Sequence, residues 1–252
     1  MKQWLSVCLA VTALALSAAE NDSVEPRRRY RAEFEIRASG VCYPLDWFCI
    51  HVPVKYPHTE LVFLDADGKP MRAQRAIRYY AFSDRFEPGV VEFYAPERAD
   101  KVRMKTADSE VRNFRLTRVE PGNDLALPLD YRIGGQFTRA EITPGKDGSG
   151  IFDVSSGNVH FYPVPVEPGA IYRLTVHGGK GDKKQTGLVI RFSFSSNGST
   201  KEGKVSSDRE PMRIGGKKTS FTTTFKVPEE ARWFHLFAMW GIVYDYQLEK
   251  IQ

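Results

Sequence analysis

From residue 29 onward, apolar and polar residues alternate. Tyr30, Ala32, Phe34 and Ile36 interleave with Arg31, Glu33, Glu35 and Arg37, the period of two that gives a strand one buried face. Shorter runs of this kind recur at 60–65, 89–95, 100–106 and 111–119. They resume at 158–166, 171–177, 187–195, 219–227, 231–239 and 242–250. Turn signals such as Asp67-Gly68 and Pro88-Gly89 separate them. No segment past the N-terminal apolar run keeps a helical period. Short strands at this spacing predict an all-β chain of consecutive antiparallel β-sandwiches.

An internal repeat divides the chain. Residues 93–119 align without a gap on 225–251. Phe93, Pro96, Glu97, Ala99, Val111 and Leu116 meet Phe225, Pro228, Glu229, Ala231, Val243 and Leu248. Tyr30 opens one unit as Tyr172 opens the other, and Asp67-Gly68 matches Asn197-Gly198. The stretch 124–168 has no counterpart, and Pro121-Gly122-Asn123-Asp124 is the best linker. The predicted division is an N-terminal linker at 20–28, an abbreviated sandwich at 29–120 and a fuller one at 124–252.

Residues 1–19 read as a secretory signal peptide. Lys2 supplies the positive end, Trp4 to Leu16 the largely apolar run, and Ser17-Ala18-Ala19 the small residues for cleavage. The run is too short for a stable anchor, and no later stretch is long enough for a transmembrane helix. The expected location is therefore the periplasm or the exterior. With 36 basic and 31 acidic residues the surface is mixed, which together with export disfavours a nucleic-acid partner. Cys42 and Cys49 are the cysteines left after cleavage. In an exported protein they read as a loop-pinning disulfide more readily than as a metal site.

On the strand at 101–106, Lys101, Arg103 and Lys105 need water, so Val102 and Met104 face inward. The repeat transfers this register to the second unit. It predicts Phe234, Leu236 and Ala238 in the core, with Trp233, His235, Phe237 and Met239 on the opposite face. Neighbouring strands add Arg173, Thr175, His177, Arg191 and Ser193. Trp240, before Gly241, and Tyr162, before Pro163, extend the set. Aromatic rings among cationic and hydroxyl groups suit a sugar, whose C–H face stacks while its hydroxyls find polar partners. The candidate ligand-binding residues are thus Trp233, His235, Phe237, Arg191, Arg173, His177, Trp240 and Tyr162. The alternative is that the first unit, or the stretch 124–168, packs over these aromatics.

The succession Pro168-Gly169-Ala170-Ile171-Tyr172-Arg173-Leu174, then Phe225-Lys226-Val227-Pro228-Glu229-Glu230-Ala231, then Asp245-Tyr246-Gln247-Leu248 resembles the jelly-roll carbohydrate-binding modules of the galactose-binding-like type. These include the xylan- and glucan-binding families. The resemblance covers about 125–252 well and 28–120 more loosely. Leu129-Asp130-Tyr131-Arg132-Ile133 departs from it, standing where such modules often begin with Asn-Gly-x-Phe-Glu. What the resemblance implies is a pair of jelly rolls that bind polysaccharide without catalysis. It also implies a partner such as an extracellular glycoside hydrolase or a surface protein. It leaves open a structural calcium ion between the terminal strands, with Asp245 at the acidic position and Asn113 in its place in the first unit.

Catalysis has little support in the residues. G-x-S-x-G, H-E-x-x-H and the phosphate-loop pattern are absent after the leader. Glu33 and Glu35 share a face with Arg31 and Arg37, which predicts an ion-pair ladder in place of a carboxylate pair for glycoside cleavage. The leading expectation is a secreted, non-catalytic polysaccharide-binding protein. Second comes an extracellular structural or protein-interaction protein, for which a large aliphatic exposed patch would speak. Third is a small polysaccharide lyase or hydrolase, which two carboxylates or a Tyr/His/Arg cluster in one groove would mark.

Overall fold

The alternation at residues 29–38 becomes a strand with Tyr30, Ala32, Phe34 and Ile36 buried and its charged residues outside. The computed structural model describes residues 22–40, 56–71, 76–130, 132–134, 141–144, 150–153, 158–180, 187–199, 203–207, 211–215 and 219–252. The expected leader at 1–19 and the Cys42–Cys49 pairing lie outside the described residues. The first unit holds β1 (Asp22–Ser23), β2 (Arg29–Ala38), β3 (His58–Leu64), β4 (Ile77–Tyr80), β5 (Glu87–Tyr94), β6 (Lys101–Ala107), β7 (Ser109–Val119) and β8 (Ile133–Gly134). Its two sheets run β1-β6-β3-β4-β8 and β5-β2-β7. The second unit holds β9 (Glu141–Pro144), β10 (Gly150–Asp153), β11 (Asn158–His160), β12 (Val164–Pro165), β13 (Ile171–Gly179) and β14 (Leu188–Ser195). It continues through β15 (Lys204–Ser207), β16 (Met212–Ile214), β17 (Ser220–Lys226), β18 (Trp233–Met239) and β19 (Ile242–Lys250). Its sheets run β17-β13-β19-β10-β9 and β11-β18-β14-β15, with β12 on β18 and β16 on β14. Every pairing is antiparallel. The described residues contain no helix. The chain is all-β, two sandwiches in tandem.

The repeat is visible atom by atom. β2 lies between β5 and β7 as β13 lies between β17 and β19. Tyr30 stacks on Phe93 at 5.9 Å, and Tyr172 on Phe225 at 6.2 Å. Each tyrosine hydroxyl accepts a hydrogen bond from the backbone N–H five residues upstream, Glu25 at 2.8 Å and Glu167 at 3.1 Å. Both donors begin a Glu-Pro dipeptide, a sequence signal that extends the repeat beyond 93–119. Arg27 and Gly169 occupy the same left-handed turn, φ 62 and φ 73. Only the second unit uses the residue for which that backbone carries no steric penalty. Asp108 and Trp240 likewise share a left-handed turn, after β6 and β18.

The second core is aromatic. Phe225 and Phe234 stack at 5.4 Å, with Phe192 and Phe194 packed around them. Phe234, Leu236 and Ala238 are buried as the register predicts, and in the first unit so is Val102, with Met104 packed against the core. At the His177/Gly178 irregularity the register shifts. A Cβ at Gly178 would collide with the Ile242 carbonyl, so the bulge requires glycine there.

The units are sewn together by the connector. Asp124 Oδ1 accepts from Ala126 N and Leu248 N, both at 2.9 Å, and Leu125 N donates to Leu248 O at 2.8 Å. The same segment then adds β8 to β4, with Tyr79 opposite Ile133. Residues expected in the second unit therefore complete a sheet of the first. Tyr56 and Tyr94 of the first unit belong to the second unit's buried cluster, and Tyr80 and Phe82 pack against it.

Candidate functional site

The outer face of the β11-β18-β14-β15 sheet carries the residues that the sequence singles out. Directly opposed residues of antiparallel strands point to the same side, so register defines its rows. One row is Met239, Val189 and Arg213. The next is His160, Phe237 and Arg191. Then come His235 and Ser193, and finally Pro165, Trp233, Ser195 and Lys204.

The two ends of this face differ. At the β18 start, Trp233 is 1 % exposed, and its Nε1 donates to Glu97 Oε2 at 3.2 Å. Glu97 sits in the first unit's Pro96–Ala99 turn, with Arg27 Nε 3.5 Å from the same oxygen. The expectation that this indole faces solvent is thus corrected. The first unit covers it. His235 is also buried, sharing a 2.7 Å hydrogen bond with Ser195 Oγ, which accepts from Gly198 N at 3.0 Å. Burial, with His160 nearby as a second cause, lowers the His235 pKa to about 4. It is a neutral structural imidazole and not a displayed contact. Tyr162 packs against both cores, so it belongs to the seam between units.

The other end is open around Arg191 and Trp240, although Val189, in the row of Met239, is buried. Phe237 is half-buried, with His160 edge-on to it at 4.5 Å, and Arg191 beside it is exposed. Met239 is half-buried and Arg213 exposed, while Lys204, also exposed, stands in the Trp233 row at the covered end. Trp240 is 43 % exposed at φ 63, directly after β18. Outside the expected binding set stood Met239, His160, Arg213 and Lys204. Period-two alternation marks the first two as candidates. The pairing of β15 and β16 with β14 brings the last two in.

Arg173 and His177 do not join this face. They lie on β13 in the opposite sheet, where Arg173 Nη2 meets Glu249 at 2.7 Å and His177 Nε2 lies 3.8 Å from Asp245. The sandwich core separates them from Phe237. Asp245, the candidate calcium ligand, is exposed and faces an imidazole across the strand pair. Among the described residues no three His, Cys, Asp or Glu side chains converge. This donor set does not fit a calcium ion, whose ligands are six to eight oxygens.

The ladder over Glu33 and Glu35 is present. Arg31 meets Glu33 at 3.0 Å, Arg112 meets Glu35 at 2.7 Å and Arg37 meets Glu110 at 2.7 Å. A Tyr/His/Arg group does gather on the first unit, where His58, Glu60, Arg78 and Tyr80 share the outer face of β3 and β4. Its members are tied to each other. Arg78 Nε donates to Glu60 at 2.7 Å, and His58 Nδ1 donates to Tyr56 O at 2.8 Å. Burial pushes the Tyr80 phenol up, away from what a base near neutrality requires.

No known protein family and no curated protein matches this chain. Among solved structures it is similar to the tandem CBM22-1–CBM22-2 domain of Xyn10C from Paenibacillus barcinonensis. The identity is 10 %, over 90 % of this chain and 80 % of that one, with a TM-score of 0.37. It is also similar to the tandem CBM51 modules of a family 98 glycoside hydrolase from Streptococcus pneumoniae SP3-BS71, at 11 % identity, 91 % and 80 % coverage and a TM-score of 0.26. The ANXUR2 extracellular domain of Arabidopsis thaliana matches at 9 % identity, 92 % and 80 % coverage and a TM-score of 0.26.

Proposed function

We propose that this chain is a secreted carbohydrate-binding protein that holds a polysaccharide on the outer face of its second sandwich and does not cleave it. The observation that carries this reading is the row His160, Phe237, Arg191, a half-buried phenyl ring flanked by imidazole and guanidinium. A phenyl face takes the C–H side of a pyranose, while the flanking groups hydrogen-bond its hydroxyls. Trp240 lies at the end of the same strand and offers a second ring. The large exposed apolar side chains among the described residues are Trp240, Tyr244 and Ile251. Two of these three are aromatic, which suits a sugar better than the aliphatic patch of a protein contact. Secretion rests on the leader at 1–19. An extracellular glycoside hydrolase or surface protein is the partner class that accompanies this role.

The test is retention of the full chain on immobilised polysaccharides. Phe237→Ala is expected to weaken binding about 3- to 10-fold, the value of one aromatic contact, with cooperative melting preserved. Unchanged retention by this variant, across glycans that the parent binds, would remove the face from consideration.

A further inference from the structure

On the first unit, register also sets the outer face of the β1-β6-β3-β4-β8 sheet. Its rows are Ser23, Lys101 and Leu64, then Arg103 and Val62, then Lys105, Glu60 and Arg78, and last Ala107, His58 and Tyr80. β6 thus lines up Lys101, Arg103 and Lys105, with Val102 buried behind them. Alternate residues of a strand stand about 7 Å apart, so the line runs about 14 Å. Lys105 is exposed, Lys101 and Arg103 are half-buried, and Leu64 beside Lys101 is buried. Half-burial of such side chains lays the stem on the sheet and leaves the charged head in water. Beyond β6 the described residues of this sheet add only the two-residue β1, so the line lies at the sheet's rim. Among the described residues these rows hold one carboxylate, Glu60. It is occupied, with Arg78 Nε at 2.7 Å and His58 Nε2 at 3.5 Å. None of the three β6 cations has an ion pair among the described residues. The outer faces over β2 and β13 are built differently, for Arg29–Glu92, Arg37–Glu110, Arg112–Glu35 and Arg173–Glu249 pair there at 2.6 to 2.7 Å.

We propose that the β6 line is a second binding surface, on the first unit, and that its partner is a linear acidic polysaccharide bearing carboxylate or sulfate groups. It is separate from the Phe237 row and does not depend on the reading of that row. Charge complementarity selects a polyanion, since three cations on one strand raise the local concentration of an opposite-sign chain. The Arg103 guanidinium matches the paired oxygens of carboxylate or sulfate with two parallel N–H donors. The straight, regular spacing suits charges that recur along an extended polymer. An acidic folded protein would need a large apolar anchor at the centre of its contact. The large exposed apolar side chains among the described residues, Trp240, Tyr244 and Ile251, all belong to the second unit. A single-stranded nucleic acid would need rings on which its bases stack, and β6 interleaves none with its cations.

The full chain should be tested against polygalacturonate, dextran sulfate, uncharged dextran and single-stranded DNA, at about 0.05 M and about 0.5 M sodium chloride. At the lower salt one of the two acidic polysaccharides should bind roughly 10-fold or more tightly than dextran, and the higher salt should remove most of that advantage. Which of the two binds distinguishes carboxylate from sulfate. Arg103→Gln and Lys105→Gln should each weaken the acidic probe about 2- to 5-fold, and the two together with Lys101→Gln roughly 10-fold or more, with melting preserved. Lys105 is exposed, so its variant carries the test if Arg103→Gln fails to fold. Arg31→Gln, an equal charge change on the β2 ladder, should leave binding unaltered. Phe237→Ala should leave it unaltered too, which separates this surface from the second unit's row. Equal losses in Arg31→Gln and Lys105→Gln would overturn the proposal by showing attraction without a site. Tighter binding of DNA than of either acidic polysaccharide would overturn the choice of partner. Failure to bind either acidic polysaccharide would overturn the proposal and leave the reading of the Phe237 row standing.

Discussion

At Trp240 a bulky aromatic residue occupies a left-handed backbone, φ 63, and is 43 % exposed. An L-residue with a Cβ is disfavoured there by roughly 1 kcal/mol or more, and Asn or Asp tolerates the conformation best. The equivalent turn of the first unit uses Asp108. Backbone strain of this kind persists where a site uses it, and here it displays an indole. Trp240→Asn is expected to raise stability by roughly 0.5–1 kcal/mol in denaturant unfolding while lowering glycan retention. A variant that loses stability and keeps retention would show the ring to be structural. His235 makes the opposite kind of prediction. Its folded pKa is lowered to about 4, from 6.5, because burial excludes the charged form. Above about pH 6.5 the ring is neutral in both states and contributes no pH dependence. Below that, the unfolded chain binds a proton that the native ring refuses. Stability therefore falls between about pH 6.5 and pH 4, by up to roughly 3 kcal/mol. His235→Asn should flatten this acid slope, measured as unfolding free energy against pH.

For the elements, the start of β18 decides where the proposed ligand face ends. Trp233 is held by packing and by the 3.2 Å bond to Glu97. Trp233→Ala should therefore lose about 3–5 kcal/mol and compromise the fold, where a displayed indole would have cost binding alone. Trp233→Phe, which keeps most of the ring and removes the N–H donor, should lose about 1–2 kcal/mol. Equilibrium unfolding of both variants is the check. A Trp233→Ala chain with parental stability and reduced glycan retention would restore the displayed indole. The same element explains the asymmetry between the units. β6 places Lys101, Arg103 and Lys105 where β18 places Trp233, His235 and Phe237, so of these two strands β18 is the one that shows an aromatic ring, Phe237.

Across the molecule, the two sandwiches share contacts that make separate unfolding costly. Tyr56 and Tyr94 are buried in the second unit's cluster, Tyr94 Oη donates to Leu125 O at 3.0 Å, and β8 ties the connector to β4. The whole chain is expected to unfold in one cooperative transition when followed by tryptophan fluorescence and far-UV circular dichroism. Residues 124–252 alone, without these aromatics and without Glu97, should be less stable than the same unit within the full chain. Two well-separated transitions, one coinciding with the isolated unit, would show that the seam contributes little.

The strands were legible because alternation is local. Tyr30 to Ile36 and Phe234 to Ala238 announce their buried sides without knowledge of any partner, and the repeat aligned β5–β7 with β17–β19. The site was legible only in part. Phe237, Arg191 and Trp240 stand at the open end of the face, whereas Trp233 and His235 alternate with the same period and are buried. Arg173 and His177 were read onto the wrong sheet for the same reason. A period of two separates one side of a strand from the other, but hydrogen-bond pairing across distant segments chooses the sheet. Packing between units chooses which outer side meets water. Sequence therefore determined the strands, their inward residues and the duplication. Tertiary structure decided that the turn bearing Glu97 closes over the indole of Trp233 and that His160 and Arg191 stand beside Phe237, because both outcomes depend on contacts between residues far apart in the chain.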